Sequence, residues 1–318
     1  GSGAASAAAG GSFNLKLGHN LAEDHAVHIQ LTSFAEQVKE KTGGSINIQI
    51  IPNGTLGSEA DMISQIQAGA LDMAKVSAST LGNFSEKYNA FSVPYVFNDQ
   101  AHYYSYMDSD SAKAVFESTD DQGFRGLTWL DSGARSFYTK ATAIRTPADL
   151  KGLKIRVQDM KSQTDMMNYL GGIPVAMSYG DVYTSLQTGI IDGTENNETA
   201  LTTGKHGEVC KVYSVDQHAM IPDVLIMSEK VWKQISPEDQ EIILEAAHNS
   251  TEAHKVMWDT AIEEAVKEAQ ETMGVEFVYD VDKEAFREAT QPMIEAYEEE
   301  YPGVKTLLDT IDAARGEE

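Results

Sequence analysis

Apolar and polar positions recur along this chain with two different periods, and the switches between them predict its elements. Residues 14–17 (NLKL) read as a short strand running into Gly18-His19-Asn20. From His25 to Lys41 the apolar positions Val27, Leu31, Phe34 and Val38 fall at helical spacing, and Gly43-Gly44 stops the helix. Ile46–Ile51 is a strand and Pro52-Asn53-Gly54 a turn. A helix over 59–68 ends at Gly69, and a strand over 71–76 follows. This β-α-β-α-β run predicts a parallel sheet with helices on both faces. The pattern returns as strands 126–130, 136–140 and 153–157 and helices 162–170 and 179–188. The chain therefore reads as two α/β units, with no internal sequence repeat relating them.

The last third changes character. Ser236-Pro237-Glu238-Asp239 is a strong helix start, with a capping serine, proline at the first position and an acid at the third. The helical pattern persists over 237–273, about 55 Å at 1.5 Å per residue. That is too long for one small unit, so the helix is expected to be shared by both. A second acidic helix, Lys283–Glu300, is closed by Pro302-Gly303. Its acidic residues read as solvated surface. At the other end, residues 1–12 contain only Gly, Ala and Ser and read as a flexible leader or tether.

The strand at 153–157 raises the first chemical question. Leu153, Ile155 and Val157 alternate with Lys154 and Arg156, so one face is apolar and the other carries a permanent cation. A guanidinium there either snorkels to solvent or holds an anion. Arg135, which opens the strand in DSGARSFYTK, is either an ordinary ion-paired residue or a second such cation. In IIDGTENNETA, Ile190-Ile191 read as the end of a strand and Asp192-Gly193 as a turn. Glu195, Asn196 and Asn197 then stand as three successive polar side chains, a turn or part of a site. All three stretches are expected at strand ends of the second unit, where ligands of open α/β sheets bind.

Composition narrows the function. The chain has 318 residues, 42% hydrophobic and 23% charged, enough for two domains. A formal net charge of −25 argues against nucleic acid and anionic membrane surfaces as partners. No apolar run reaches a membrane span. The single cysteine, Cys210, excludes an internal disulfide and a cysteine zinc cluster. Sequence signatures of catalysis such as GxSxG, HExxH, a P-loop or GxGxxG are absent. His248 and His254 are six apart, off a common helical face, and His102 reads as a surface residue at a helix start. No enzyme activity, cofactor or metal is expected. Glu59 and Glu195 as a glycosidase pair is an alternative with no fixed separation behind it.

The ordered set LGHN (17–20), IIPNGTLGSEADMISQIQAGALDM (50–73), VPYVFND (93–99), SGARSFY (132–138), TPADLKGLKIRVQ (146–158) and GGIPVAMSYGDVYTSLQTGIIDGTENN (171–197) resembles the solute-binding subunits of TRAP (tripartite ATP-independent periplasmic) transporters, the DctP family. The likeness runs from about residue 13 onward. It implies a two-domain, periplasmic-binding-protein-like α/β fold with crossing strands and a long hinge-spanning helix, closing around an organic acid and delivering it to membrane permease subunits. The expected division is 13–131 plus 223–260 for one domain and 132–222 plus 261–318 for the other. Arg156 then corresponds to the family's carboxylate clamp, Arg135 to a second anion contact, Asn196 to a completing donor and Tyr179 to the aromatic that covers the ligand. His19, Asn20, Glu59 and Ser77 would meet the rest of the ligand, with Asn197 beside Asn196. Sialic-acid binders are similar at Asn20 and Glu59 but carry an acid where Ser77 stands. RSFYT, DGTENN and HAMIPDVLIMS (218–228) are similar to the hexuronate binders, for which His218 and Asp223 would bond ring hydroxyls; a structural crossover turn is the other reading of these two. The expectation is thus a monomeric, periplasmic or extracytoplasmic subunit, free or lipid-tethered in its native form, that binds glucuronate or galacturonate. A C4-dicarboxylate or other sugar acid, or a sensor role, is the alternative.

Overall fold

The computed structural model describes residues 6–8 and 11–316; the remainder of the expected leader lies outside the described residues. Its strands are β1 (Ser6–Ala8), β2 (Ser12–Gly18), β3 (Ile46–Ile51), β4 (Met73–Ser77), β5 (Phe124–Leu130), β6 (Arg135–Thr139), β7 (Lys154–Val157), β8 (Ile173–Ala176), β9 (Gly193–Asn196), β10 (Val212–Ala219), β11 (Asp223–Ser228) and β12 (Glu276–Val278). They form two six-stranded sheets. The chain packs as two units, one made of residues up to 77 with 109–131 and 222–259, the other of 78–108, 132–221 and 260 onward.

In the first unit, β2 alternates as its sequence does: Phe13, Leu15 and Leu17 are buried while Asn14 and Lys16 are exposed. β2 runs parallel to β3 and β4, whereas β11 is antiparallel to both β4 and β5. The sheet is therefore mixed, not the parallel sheet expected, because its central strand returns from far along the chain. β4 pairs only with Leu17 and Gly18 of β2. β1 pairs antiparallel with the earlier part, Ser6 opposite Asn14. Part of the expected flexible leader is thus a strand. Helix Ala26–Lys41 buries Val27, Leu31, Phe34 and Val38 on that sheet, with the His25 ring capping it through the Val27 N–H. Helix Glu59–Gln67 is fixed by a reciprocal box: the Asp61 N–H donates to Ser58 Oγ at 3.1 Å and the Ser58 N–H to Asp61 Oδ2 at 3.0 Å.

The second unit's sheet runs β12-β10-β6-β9-β7-β8. β6 is antiparallel to β10 and β9, while β7 is parallel to β8 and β9, so this sheet is also mixed. The segment IIDGTEN differs from its expected form. Residues 190–192 are irregular, and the strand follows the turn, so Glu195 and Asn196 lie within β9 and not in a loop. Residues 78–108, grouped with the first domain by sequence, pack in the second unit. Their rings Tyr88, Phe91 and Tyr106 are buried, and His102 donates Nε2–H to the Ile311 carbonyl at 2.7 Å. His102 is therefore a buried tie, not a surface residue. Helix Lys283–Glu300 ends before Pro302 as expected, and Pro302 also begins a further helix, Pro302–Ala313, because proline at the first helical position needs no partner for its nitrogen. The long helix is Pro237–Glu271, and the unit boundary at 259/260 falls inside it.

Candidate functional site

Three adjacent strands of the second sheet assemble its charged cluster. β9 lies between β6 and β7, with Ser136 opposite Asn196 and Ile155 opposite Gly193. Arg135, at the start of β6, is buried. It grips Glu195 with two parallel bonds, Nε to Oε2 at 2.6 Å and Nη2 to Oε1 at 2.7 Å, and also reaches the Glu195 carbonyl at 3.0 Å. His218 places Nε2 against Glu195 Oε2 at 2.8 Å and Nδ1 against Asp216 Oδ2 at 2.7 Å. Asp216 Oδ1 takes the Phe137 N–H at 2.9 Å, and the His218 ring stacks on Phe137. Burial alone would raise the Glu195 carboxyl, but Arg135's charge and the His218 bond bring it down to about 2. Burial alone would lower His218, but Asp216 and Glu195 raise it to about 9. Both ring nitrogens thus donate to carboxylates. The His218 ring therefore holds Glu195 and Asp216, which favours the structural of its two expected readings.

Arg156 contrasts with Arg135. It is only 2% exposed, so it does not snorkel. Its Nε donates to the Met177 carbonyl at 3.0 Å, and its guanidinium lies 5.9 Å from the centre of the Tyr179 ring. Among the described residues no carboxylate lies within ion-pair range of it. Burial first, and then the Arg135 charge, make its protonated form less favourable than usual. A planar, buried cation with unused donors is the chemistry that takes a carboxylate in two parallel bonds. Tyr179 also faces His206, whose Nδ1 is bonded to the Tyr138 hydroxyl at 2.6 Å. Burial and the Arg156 charge push His206 down to about 3, so it stays neutral.

Asn196 and Asn197 divide their work. The Asn197 N–H donates to Asn196 Oδ1 at 2.9 Å, which turns the Asn196 amide nitrogen outward as a donor; that nitrogen has no protein partner among the described residues. Asn197 itself is consumed by the loop. Its Nδ2 donates to the Ser132 carbonyl at 3.1 Å and its Oδ1 accepts from the Thr199 N–H at 3.0 Å. Asn197 thereby braces Asn196.

The first unit carries a second polar cluster. Lys75, buried within β4, stands 3.3 Å from Asp223 Oδ1 and 3.9 Å from Glu59 Oε2. The Ser77 N–H donates to Glu59 Oε2 at 3.0 Å, and Asp223 pairs with Ser77 in the β4–β11 register. The expected residues Glu59, Ser77 and Asp223 do come together. The lysine that joins them was missed, although a lysine inside the apolar run LDMAKVSA was the same signal that drew attention to Arg156. Asn20, half-buried, commits its amide to no partner among the described residues. His19 does not match its expected role. Its Nδ1 accepts the Leu21 N–H at 3.0 Å, so the proton sits on Nε2 and is donated to His28 Nδ1 at 2.9 Å. Burial and the Lys75 charge hold His19 down to about 3. His25 and His254 are likewise lowered, by burial first.

Among the described residues no group of three or more His, Cys, Asp or Glu could hold a metal ion, and no helix is long and apolar enough to cross a membrane. Glu59 and Glu195 belong to different units, and each already serves a cation of its own unit.

Comparison with known proteins agrees with this architecture. The family model DctP, described as bacterial extracellular solute-binding protein, family 7, matches residues 17–300. An uncharacterized protein of Salmonella typhimurium, YiiZ, is 42% identical over 283 residues, 89% of this chain and 86% of that protein. A TRAP periplasmic solute-binding protein of Anaerococcus prevotii, solved with bound α/β-D-glucuronate, superposes with a TM-score of 0.92 at 39% identity, covering 95% of this chain and 97% of the other. One from Sulfitobacter sp. NAS-14.1, with bound β-D-galacturonate, gives 0.90 at 34% identity, covering 94% and 99%. The chain belongs to the DctP family of extracellular solute-binding proteins, the solute-capturing subunits of TRAP transporters, which bind small organic acids and work with membrane permease components.

Proposed function

We propose that this protein captures a hexuronate, D-glucuronate or D-galacturonate, in the periplasm and hands it to its permease. One observation carries the reading: Arg156 is a buried cation bonded to the Met177 carbonyl, with Tyr179 over it and no carboxylate of the described residues in ion-pair range. A ligand carboxylate would complete it, with the outward amide of Asn196 as a further donor. In the first unit Glu59, Lys75, Ser77, Asn20 and Asp223 present both acceptors and donors, a chemistry suited to ligand hydroxyls rather than to a hydrocarbon chain. The two solved relatives that hold glucuronate and galacturonate support the same class. The protein acts by binding, so aryl uronides are expected to bind saturably without turnover.

A thermal-shift screen over organic acids, followed by calorimetry, tests this. A hexuronate at about 1,000 times its Kd adds roughly 4 kcal/mol of stability. A panel in which neither hexuronate binds while another acid does would overturn the ligand assignment and leave the family intact.

A further inference from the structure

We propose that His206 is the positioning residue of the anion site in the second unit: bonded to Tyr138, it holds the Tyr179 ring over Arg156 and so sets the affinity for the ligand carboxylate. The inference rests on the reading of Arg156 as the carboxylate clamp and adds the group that aligns it. Tyr138, Arg156, Tyr179 and His206 all belong to the second unit.

The four side chains follow one another in space. Tyr138 is buried in β6, and its hydroxyl lies 2.6 Å from His206 Nδ1. The His206 ring stands 5.8 Å from the Tyr138 ring and 5.5 Å from the Tyr179 ring, and Tyr179 lies 5.9 Å from the Arg156 guanidinium. Burial keeps the proton on the Tyr138 hydroxyl. Burial and the Arg156 charge keep His206 neutral. The phenol therefore donates to Nδ1, which fixes the tautomer and the plane of the imidazole. The backbone around His206 is shaped for the same purpose. Lys205 has φ of 63°, a left-handed conformation that costs a lysine free energy, and the residue it delivers, His206, is only 2% exposed. At Gly204 a Cβ would lie 2.5 Å from the Tyr179 hydroxyl, so the missing side chain leaves that hydroxyl its place. Tyr179 is thus bounded by Gly204 at its hydroxyl and by a hydrogen-bonded imidazole at its ring. A ring held in one orientation over a guanidinium keeps the cation in place before the ligand arrives, and less ordering is then needed on binding.

The test is calorimetry with D-glucuronate and D-galacturonate on His206→Ala and Tyr138→Phe, each made in the wild-type and the Tyr179→Ala backgrounds and first shown to be folded by urea unfolding. In the wild-type background His206→Ala should weaken binding about tenfold and Tyr138→Phe about threefold. In the Tyr179→Ala background each should cost less than about twofold, a coupling that general loosening of the unit would not produce. Tyr138→Phe is the milder change and decides the question if His206→Ala does not fold. Wild-type affinity in the folded variant, or equal losses in the two backgrounds, would overturn the proposal, and would leave the clamp reading intact if Arg156→Ala still loses binding. If the wild type binds neither hexuronate, that reading fails, and NMR of the ligand-free protein decides this one. Overhauser contacts between the Tyr179 ring and the Arg156 side chain that vanish in the folded variant support the positioning role, and contacts that persist end it.

Discussion

The two units solve the burial of charge differently. In the second, each carboxylate of the cluster is met by a cation in short hydrogen bonds, and the surplus is a single guanidinium, Arg156. In the first, Lys75 stands between two carboxylates at longer range, 3.3 Å from Asp223 and 3.9 Å from Glu59. A tightly paired network adds definition to the fold, whereas an unpaired buried cation costs folding free energy and is retained only if something else completes it. Arg135 and Arg156 show this within one sheet: the same residue type, both buried, one forked onto a carboxylate of the protein and the other, among the described residues, in ion-pair range of none.

Substitution at these two arginines gives the largest effects, in opposite directions. Arg135→Ala leaves Glu195 buried without its fork and should cost about 3–5 kcal/mol of stability, measured by urea unfolding. Arg156→Ala should leave the free protein at least as stable as wild type, yet weaken hexuronate binding by about 10²–10³·⁵-fold in calorimetry. Arg156→Lys should also bind poorly, since a point charge replaces a planar fork. If Arg156→Ala binds within threefold of wild type, the clamp assignment fails.

The pH dependence of stability separates the clusters next. His218 is raised from 6.5 to about 9, so its contribution is complete below pH 6.5 and is lost as pH rises towards 9. Glu195 is lowered from 4.5 to about 2, so its contribution is present above pH 4.5 and is lost as pH falls towards 2. His19, lowered from 6.5 to about 3, makes stability fall as pH drops from 6.5 towards 3. His218→Gln should therefore flatten the alkaline limb and His19→Gln the acid limb of the urea midpoint against pH. Identical profiles for both variants would contradict the comparison. The smallest expected effect is at Asn20, whose amide has no protein partner among the described residues. Asn20→Ala should change stability by no more than about 0.5 kcal/mol while costing about 1 kcal/mol in ligand affinity by calorimetry.

Most elements were legible because their signals are local. The strand Ile46–Ile51 and the helix Lys283–Glu300 have the bounds their periodicity predicts, and helix Ala26–Lys41 needs only the apolar stripe and Gly43-Gly44. Local signals failed where an element depends on remote partners. GTEN reads as a turn because Gly193 and Asn196 are poor strand residues; it is a strand because β6 and β7 flank it. Pro302 does mark the end of helix Lys283–Glu300, but the helix it also starts was not legible, since Val304, Leu307 and Ile311 need a remote core to bury in.

The sequence alone determined that residue 156 is a permanent cation on a strand and, through the ordered motifs, the family. Whether a cation is bound or waiting is decided by what the fold brings beside it. The β6-β9-β7 order delivers Glu195 to Arg135, and β10 brings His218 and Asp216 to the same carboxylate. Arg156 receives the Met177 carbonyl and the Tyr179 ring. Arg135 and Glu195 are 60 residues apart along the chain, Glu195 and His218 23, and Arg156 and Met177 21. Ion pairing in a buried site depends on distances of a few ångströms, and only the tertiary structure sets those.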